Sequence, residues 1–179
     1  MIRIFDILFS FVGLVILSPI LIILLILGYI ESGSPLFKQE RVGKNQKKFL
    51  LFKFRTMKKF TKSVATHLID KSMITSFGFF LRYSKLDEVP QLVNVLLGEM
   101  SLVGPRPCLT NQRKLIIERK KRGIFRVKPG ITGLAQISGI NMETPTLLAK
   151  TDFKMVKNIN LYYYFYYILK TLILIFKKK

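Results

Sequence analysis

The sequence predicts an α+β fold, mainly helical. An apolar helix enters the membrane at the N-terminus, a small β-hairpin or sheet lies in the middle domain, and an amphipathic helix rests at the membrane interface at the C-terminus. Three observations carry this. Ile7 to Ile30 holds no formal charge, "PLFKQERVGKNQKKFLLFKFRTM" alternates at period two about a turn, and "NLYYYFYYILKTLILIFKKK" joins tyrosines to aliphatics and terminal lysines. The implied divisions are 1–33, 34–158 and 159–179.

The 24 residues "ILFSFVGLVILSPILIILLILGYI" form a helix of about 36 Å, enough to cross a ~30 Å hydrocarbon core. The stretch is too long for a secretory h-region and no A-x-A cleavage site follows it. Ser18-Pro19 falls at its middle, where the proline removes a backbone hydrogen bond and Ser18 can bond the freed carbonyl. Each arm then measures about 18 Å, too short to cross alone. The residues fit both a kinked span and a helix that enters, bends and returns.

In the hairpin, Leu50, Phe52 and Phe54 point one way, and Lys53 and Arg55 point the other with Phe49 and Leu51. Gly43 to Gln46 supplies the turn. Two cations sharing a face with apolar residues are not an ordinary solvated strand face. Further on, Thr75 to Ser84 places Arg82 just before the acids Asp87 and Glu88. Pro90 suits a first helical turn, and Leu86, Val89, Val93, Leu97 and Met100 recur at helical spacing. The acid pair thus falls at a helix start, where capping alone explains an isolated pair.

The surroundings weigh against capping. "SLVGPRP" holds Arg106 between two prolines, and "KPGITGLAQISGIN" has the small residues of a loop that approaches a ligand closely. "QRKLIIERKKRG" reads as a basic helix with mostly solvated, lipid-facing charges, closed by Gly123. At the C-terminus, five Tyr and a Phe fill Tyr162 to Tyr167, at headgroup level, and Lys170 keeps the helix in the interface. A core-packed amphipathic helix is the alternative.

Composition narrows the chemistry. The net charge of +20 asks for an anionic partner, whether nucleic acid, anionic lipid or a phosphorylated substrate. Cys108 is the only cysteine and His67 the only histidine, which removes an internal disulfide, His-rich zinc sites and the usual Ser or Cys nucleophile with a His base. Carboxylates, Lys, Arg and hydroxyls remain.

Taken in order, "FKQERVG", "FKFRTM", "FGFFLRYSKLDEVPQLVNVLLGEMSLVGPRP" and "KPGITGLAQISG", behind a Ser-Pro helix, resemble the bacterial sugar transferases, specifically the small monotopic polyprenyl-phosphate phosphoglycosyl transferases. The resemblance covers nearly the whole chain. It implies a re-entrant helix bent at Ser18 and Pro19, and a catalytic domain on the cytoplasmic face of the bacterial inner membrane. It also implies transfer of sugar-1-phosphate from a UDP-sugar, an N-acetylated amino sugar among the candidates, to polyprenyl phosphate with release of UMP. Asp87 takes the place of the carboxylate nucleophile and Glu88 of its partner, both serving Mg²⁺. Lys53, Arg55, Arg82 and Arg106 would surround the phosphates, with Gly130, Gly133 and Gln136 in a donor loop. Two departures, Ile140 in "SGIN" where relatives carry Arg and the lack of Trp, fall in the region the resemblance associates with donor choice.

That chemistry accounts for the acids. A carboxylate attacking a diphosphate brings anion to anion, so the site must supply cations, from Mg²⁺ and from Lys and Arg. A membrane-tethered nucleic-acid binder would also use the positive excess, but adjacent acids repel phosphate and no binding motif is present, so nucleic acid is not an expected partner. A lipid-surface protein without catalysis is the bland alternative, and it gives the acid pair no task.

Overall fold

The computed structural model of the chain describes residues 1–59 and 71–177, so His67, Lys178 and Lys179 lie outside the described residues. The first element, α1 (Ile2–Ser32), is one helix of 31 residues with Pro19 inside it, about 46 Å long at ~1.5 Å per residue. Pro19 has no N–H for the carbonyl of Val15, and Ser18 Oγ donates to that oxygen at 2.7 Å instead. The repair expected of Ser18 is therefore present.

Both ends of α1 rest on the same domain. Near the start, Arg3 donates to the carbonyls of Val95 and Leu96 at 2.6 and 3.0 Å. The buried Asp6 accepts through Oδ1 from Ser101 Oγ, Leu102 N and Tyr164 OH. Near the far end, Leu24 packs with Phe54 and Leu81, and Thr75 Oγ1 donates to Glu31 Oε2. Elsewhere the helix shows its aliphatic side chains, Ile4, Val15, Ile22 and Ile26 among them, to the outside.

The predicted hairpin forms from β1 (Leu36–Val42) and β2 (Lys48–Phe54), antiparallel, with Lys44–Gln46 turning between them. Phe49 and Leu51 are buried with Val95 and Met100, and Lys53 lies on their face of the strand. A short strand, β4 (Cys108–Leu109), adds to the other side of β1, giving the order β2-β1-β4. That leaves β2 as an edge, which Asn94 covers. Its Nδ2 donates to Leu50 O and its Oδ1 accepts from Phe52 N, so one side chain stands in for a neighbouring strand. A second, parallel pair joins β3 (Ser101–Val103) to β5 (Gly130–Thr132).

The helices around these sheets are α2 (Ser76–Ser84), α3 (Gln91–Leu96), α4 (Arg113–Lys121), α5 (Leu134–Ile137), α6 (Pro145–Asn158) and α7 (Leu161–Lys177). Three expectations change here. The stripe from Leu86 to Met100 is not one face, because Leu86–Glu88 is a 3₁₀ turn and a period of 3.6 loses phase across it. Val93 and Leu97 are exposed, while Gln91, Asn94 and Val95 are buried. In α4, Arg119 is buried rather than solvated. In α7, Tyr164 and Tyr167 are core residues, leaving Tyr162, Leu169, Leu172 and Ile173 outside. Helix α7 is thus packed into the domain along one face.

Candidate active site

The acid pair sits in a tight junction. Lys85 closes α2 in the left-handed conformation, at φ 62° and ψ 10°, and the 3₁₀ turn Leu86–Glu88 follows at once. The turn aims the two carboxylates at different partners. Glu88 Oε1 accepts from Lys53 Nζ at 2.8 Å and from Arg106 Nη2 at 2.7 Å. Asp87 is 8% exposed, and its Oδ1 is buried with no hydrogen-bond donor. Arg82, on the last turn of α2, donates through Nε to Thr56 Oγ1 at 2.9 Å.

Arg106 is placed by the loop between β3 and β4. Its two prolines remove backbone donors, so the loop cannot build a ladder of its own. Each of its four carbonyls is satisfied from a different place. Gln136 Nε2 donates to Gly104 O, Gly130 N to Pro105 O, Arg119 Nη1 to Arg106 O, and Arg41 Nη1 to Pro107 O, at 3.2, 3.0, 2.8 and 3.0 Å. Arg119 is in turn fixed by Asp152 in α6, which takes both Nε and Nη2 on one oxygen.

Burial sets the electrostatics. It pushes the Asp87 carboxyl above its usual range, against the pull of Lys53, with Glu88 adding to the rise. Burial also opposes the charge on Glu88, yet Arg106 and Lys53 hold that carboxyl well below the ordinary range. Burial lowers Lys53 despite Glu88, and lowers Arg82 despite Asp87. Arg106 is raised by Glu88 against its own burial. Arg41, buried and repelled by Arg106, falls to about 10. Its Nε is buried without an acceptor, and it makes no ion pair among the described residues. Lys53, Arg41, Arg82 and Arg106 thus face two acids, a surplus of positive charge that an anionic substrate would neutralise.

The structure brings Asp87, Glu88, Lys53, Arg82 and Arg106 together and leaves Arg55 out. Arg55 follows the last residue of β2, donates to Ser34 O and lies over the Phe37 ring, because alternation ends where the strand ends. The acids precede α3 rather than cap it. Pro90 is the N-cap, and no side-chain cap bond forms. Gly130 and Gly133 do make close approaches, but to the protein's own backbone. A Cβ at Gly130 would stand 1.9 Å from Gly104 N, and one at Gly133 would stand 2.7 Å from Gly104 O. With Gln136 they hold the Arg106 loop. Arg41, Arg119 and Asp152 were not singled out by the sequence. Arg41 does share the hairpin face of Lys53 by period-two alternation, a signal that was available. No cluster of three or more acid, His or Cys side chains is present among the described residues. Mg²⁺ needs only one or two carboxylates plus substrate phosphates, and the Asp87–Glu88 pair, with Asp87 Oδ1 lacking a donor, fits that demand.

Comparison with known proteins identifies the family. A profile of the bacterial sugar transferases matches residues 1–178. The chain belongs to the bacterial sugar transferase family. It is 43% identical over 140 residues to the uncharacterized sugar transferase EpsL of Bacillus subtilis, covering 78% of this chain and 69% of that protein. It is 44% identical over 124 residues to the UDP-glucose:undecaprenyl-phosphate glucose-1-phosphate transferase of Xanthomonas campestris pv. campestris, covering 65% of this chain and 25% of that one. With the UDP-galactose-lipid carrier transferase of Erwinia amylovora it shares 34% over 196 residues, 98% of this chain and 40% of that one. The chain therefore spans less than half the length of these last two relatives.

Proposed function

We propose that this bacterial sugar transferase moves sugar-1-phosphate from a UDP-sugar to a polyprenyl phosphate, leaving UMP and a polyprenyl diphosphate sugar. The observation that carries the reading is Asp87 Oδ1, buried and without a donor beside a surplus of half-buried cations. An oxygen atom of the Asp87 carboxylate attacks the phosphorus next to the sugar. The bond from that phosphorus to the bridging oxygen breaks, and the bridging oxygen leaves with UMP. An oxygen of the acceptor phosphate then attacks the same phosphorus and releases the carboxylate. Lys53 and Arg106 hold Glu88 beside the reacting group, and Arg82 and Arg41 offset charge on the phosphoryl oxygens. Mg²⁺, held by Asp87 and Glu88, would supply further positive charge at the diphosphate.

The acceptor is confined to a membrane, and α1 meets it. The contacts of Arg3 and Asp6 at one end and of Leu24 and Glu31 at the other, all with one domain, support a helix that returns to the side it entered. We place the domain on the cytoplasmic face, where UDP-sugars are made, as one step of surface-glycan assembly. The names of the relatives put glucose and galactose first among donors, with N-acetylated amino sugars next to test.

The test is UMP release from UDP-glucose, UDP-galactose and UDP-N-acetylglucosamine, with undecaprenyl phosphate and Mg²⁺. Without acceptor, a donor labelled in the sugar should leave hydroxylamine-sensitive label on Asp87 and release at most one UMP per enzyme. Release of UDP instead would mean attack at the sugar carbon and would overturn the reading. A requirement for acceptor before any UMP appears would overturn the covalent step alone.

A further inference from the structure

Lys85 is the one non-glycine residue beside the acid pair with a left-handed backbone, at φ 62°. That conformation costs any residue with a Cβ, and such outliers gather at functional sites. Three of the other cations nearby are committed. Lys53 and Arg106 share Glu88 Oε1, and Arg82 Nε is given to Thr56. Lys85 is exposed, and its ammonium has no ion pair among the described residues. Its carbonyl accepts from Glu88 N at 3.2 Å, so the turn that carries the acids starts at this residue. After burial, Lys53 and Glu88, the charge of Lys85 is next in its effect on the Asp87 carboxyl, ahead of Arg82.

The helix that Lys85 closes has two faces. Leu81 and Phe77 pack toward α1, against Leu24 and Leu21. The outer side carries Phe79, Phe80 and Tyr83, all more than half exposed, with the Phe79 and Tyr83 rings stacked at 6.5 Å. An exposed aromatic ledge therefore lies on the helix that ends at an exposed lysine two residues before Asp87. We propose that Lys85 binds the phosphate of the lipid acceptor, with the isoprenoid chain lying along Phe79, Phe80 and Tyr83. The α2 side of the acid pair then serves the lipid, and the side of Arg106 and Arg41 serves the nucleotide. This rests on the transferase reading and adds the division of the site between its two substrates.

The experiment compares Lys85→Asn, Lys85→Gly and Lys85→Arg with the full wild-type chain in detergent, using whichever of the three UDP-sugars gives UMP. Asn and Gly both tolerate the left-handed backbone and remove the charge. Both should raise KM for undecaprenyl phosphate about tenfold, the loss of one charge-assisted contact, and leave KM for the donor within about twofold. Lys85→Arg should restore acceptor KM to within about threefold of wild type. Lys85→Gly should melt at the same temperature or higher, since the strain is relieved. Unchanged acceptor KM in Asn and Gly overturns the proposal. So does a parallel fall of kcat, both affinities and melting temperature, which would make Lys85 a helix cap only. Binding of undecaprenyl phosphate without donor gives the same comparison if no donor turns over. Failure of the wild type to release UMP strikes the transferase reading, whereas wild-type turnover with indifferent Lys85 variants strikes this assignment alone.

Discussion

Arg119 gives two N–H groups, Nε at 3.0 Å and Nη2 at 2.7 Å, to a single oxygen of Asp152, in a place where both side chains are almost fully buried. A third contact, from Nη1 to Arg106 O, links this pair to the loop of Arg106. Asp152→Ala leaves a buried guanidinium without its anion and should cost about 3–5 kcal/mol of stability in a denaturant melt. Arg119→Met with Asp152→Leu removes both charges and should regain most of that stability. Turnover should stay low in the double variant, because Arg106 O has lost its donor. Full activity there would show that the pair serves only the fold.

The acids should titrate apart. On the proposed mechanism Asp87 attacks as the carboxylate, and burial raises its carboxyl, so activity should fall with acid at a higher pH than an ordinary carboxylate would give. Burial lowers Lys53, so the alkaline limb should precede that of an ordinary lysine. Asp87→Asn should lose turnover by about a thousandfold or more.

Stability moves the opposite way at the two acids. The folded pKa of Asp87 lies above its unfolded value, so any stability it adds is present below the unfolded pKa and is lost as pH rises through the folded one. Glu88 lies below, so its contribution is present above the unfolded pKa and is lost as pH falls through the folded one. At neutral pH, Asp87→Asn should therefore melt no lower than wild type and Glu88→Gln should melt lower. The reverse order by calorimetry would contradict the burial argument.

Cysteines at exposed positions 4 and 38 should test α1. With Cys108 buried and slow to react, Ile4→Cys and Lys38→Cys should both resist a membrane-impermeant thiol reagent added to intact cells. Both should label after the cells are opened. Labelling of position 4 from outside would mean that α1 crosses.

Asn94→Ala strips the edge strand of the cover this side chain gives, freeing Leu50 O and Phe52 N. The loss should be about 1–3 kcal/mol, with faster aggregation on heating, read by light scattering. Unchanged melting would mean that water serves those groups equally well.

Much of this was legible in the sequence where one physical rule held along a whole element. Period two put Lys53 on the buried face of Phe49 and Leu51, and failed for Arg55 one residue past the strand. The Ser18-Pro19 repair needed only local geometry. The α3 stripe failed because a left-handed residue and a 3₁₀ turn precede the helix, and no spacing rule crosses such a junction. Buried polar groups were the hardest to see. Arg119 looks like its neighbours in a basic run until α6 brings Asp152 to it, and Asp6 looks like an end to the apolar stretch until β3 and α7 surround it. Glycines at 130 and 133 announced close approach correctly but not to what.

The four carbonyls from Gly104 to Pro107, each held by a donor from another part of the chain, also order events in time. None of those donors is local, so the loop cannot settle until the hairpin, α4, α5 and β5 have all arrived, and such distant contacts are slow to close. A half-folded chain carries its acids in a short turn, with nothing opposite them. On refolding from denaturant, recovery of turnover should therefore lag recovery of helix measured by circular dichroism.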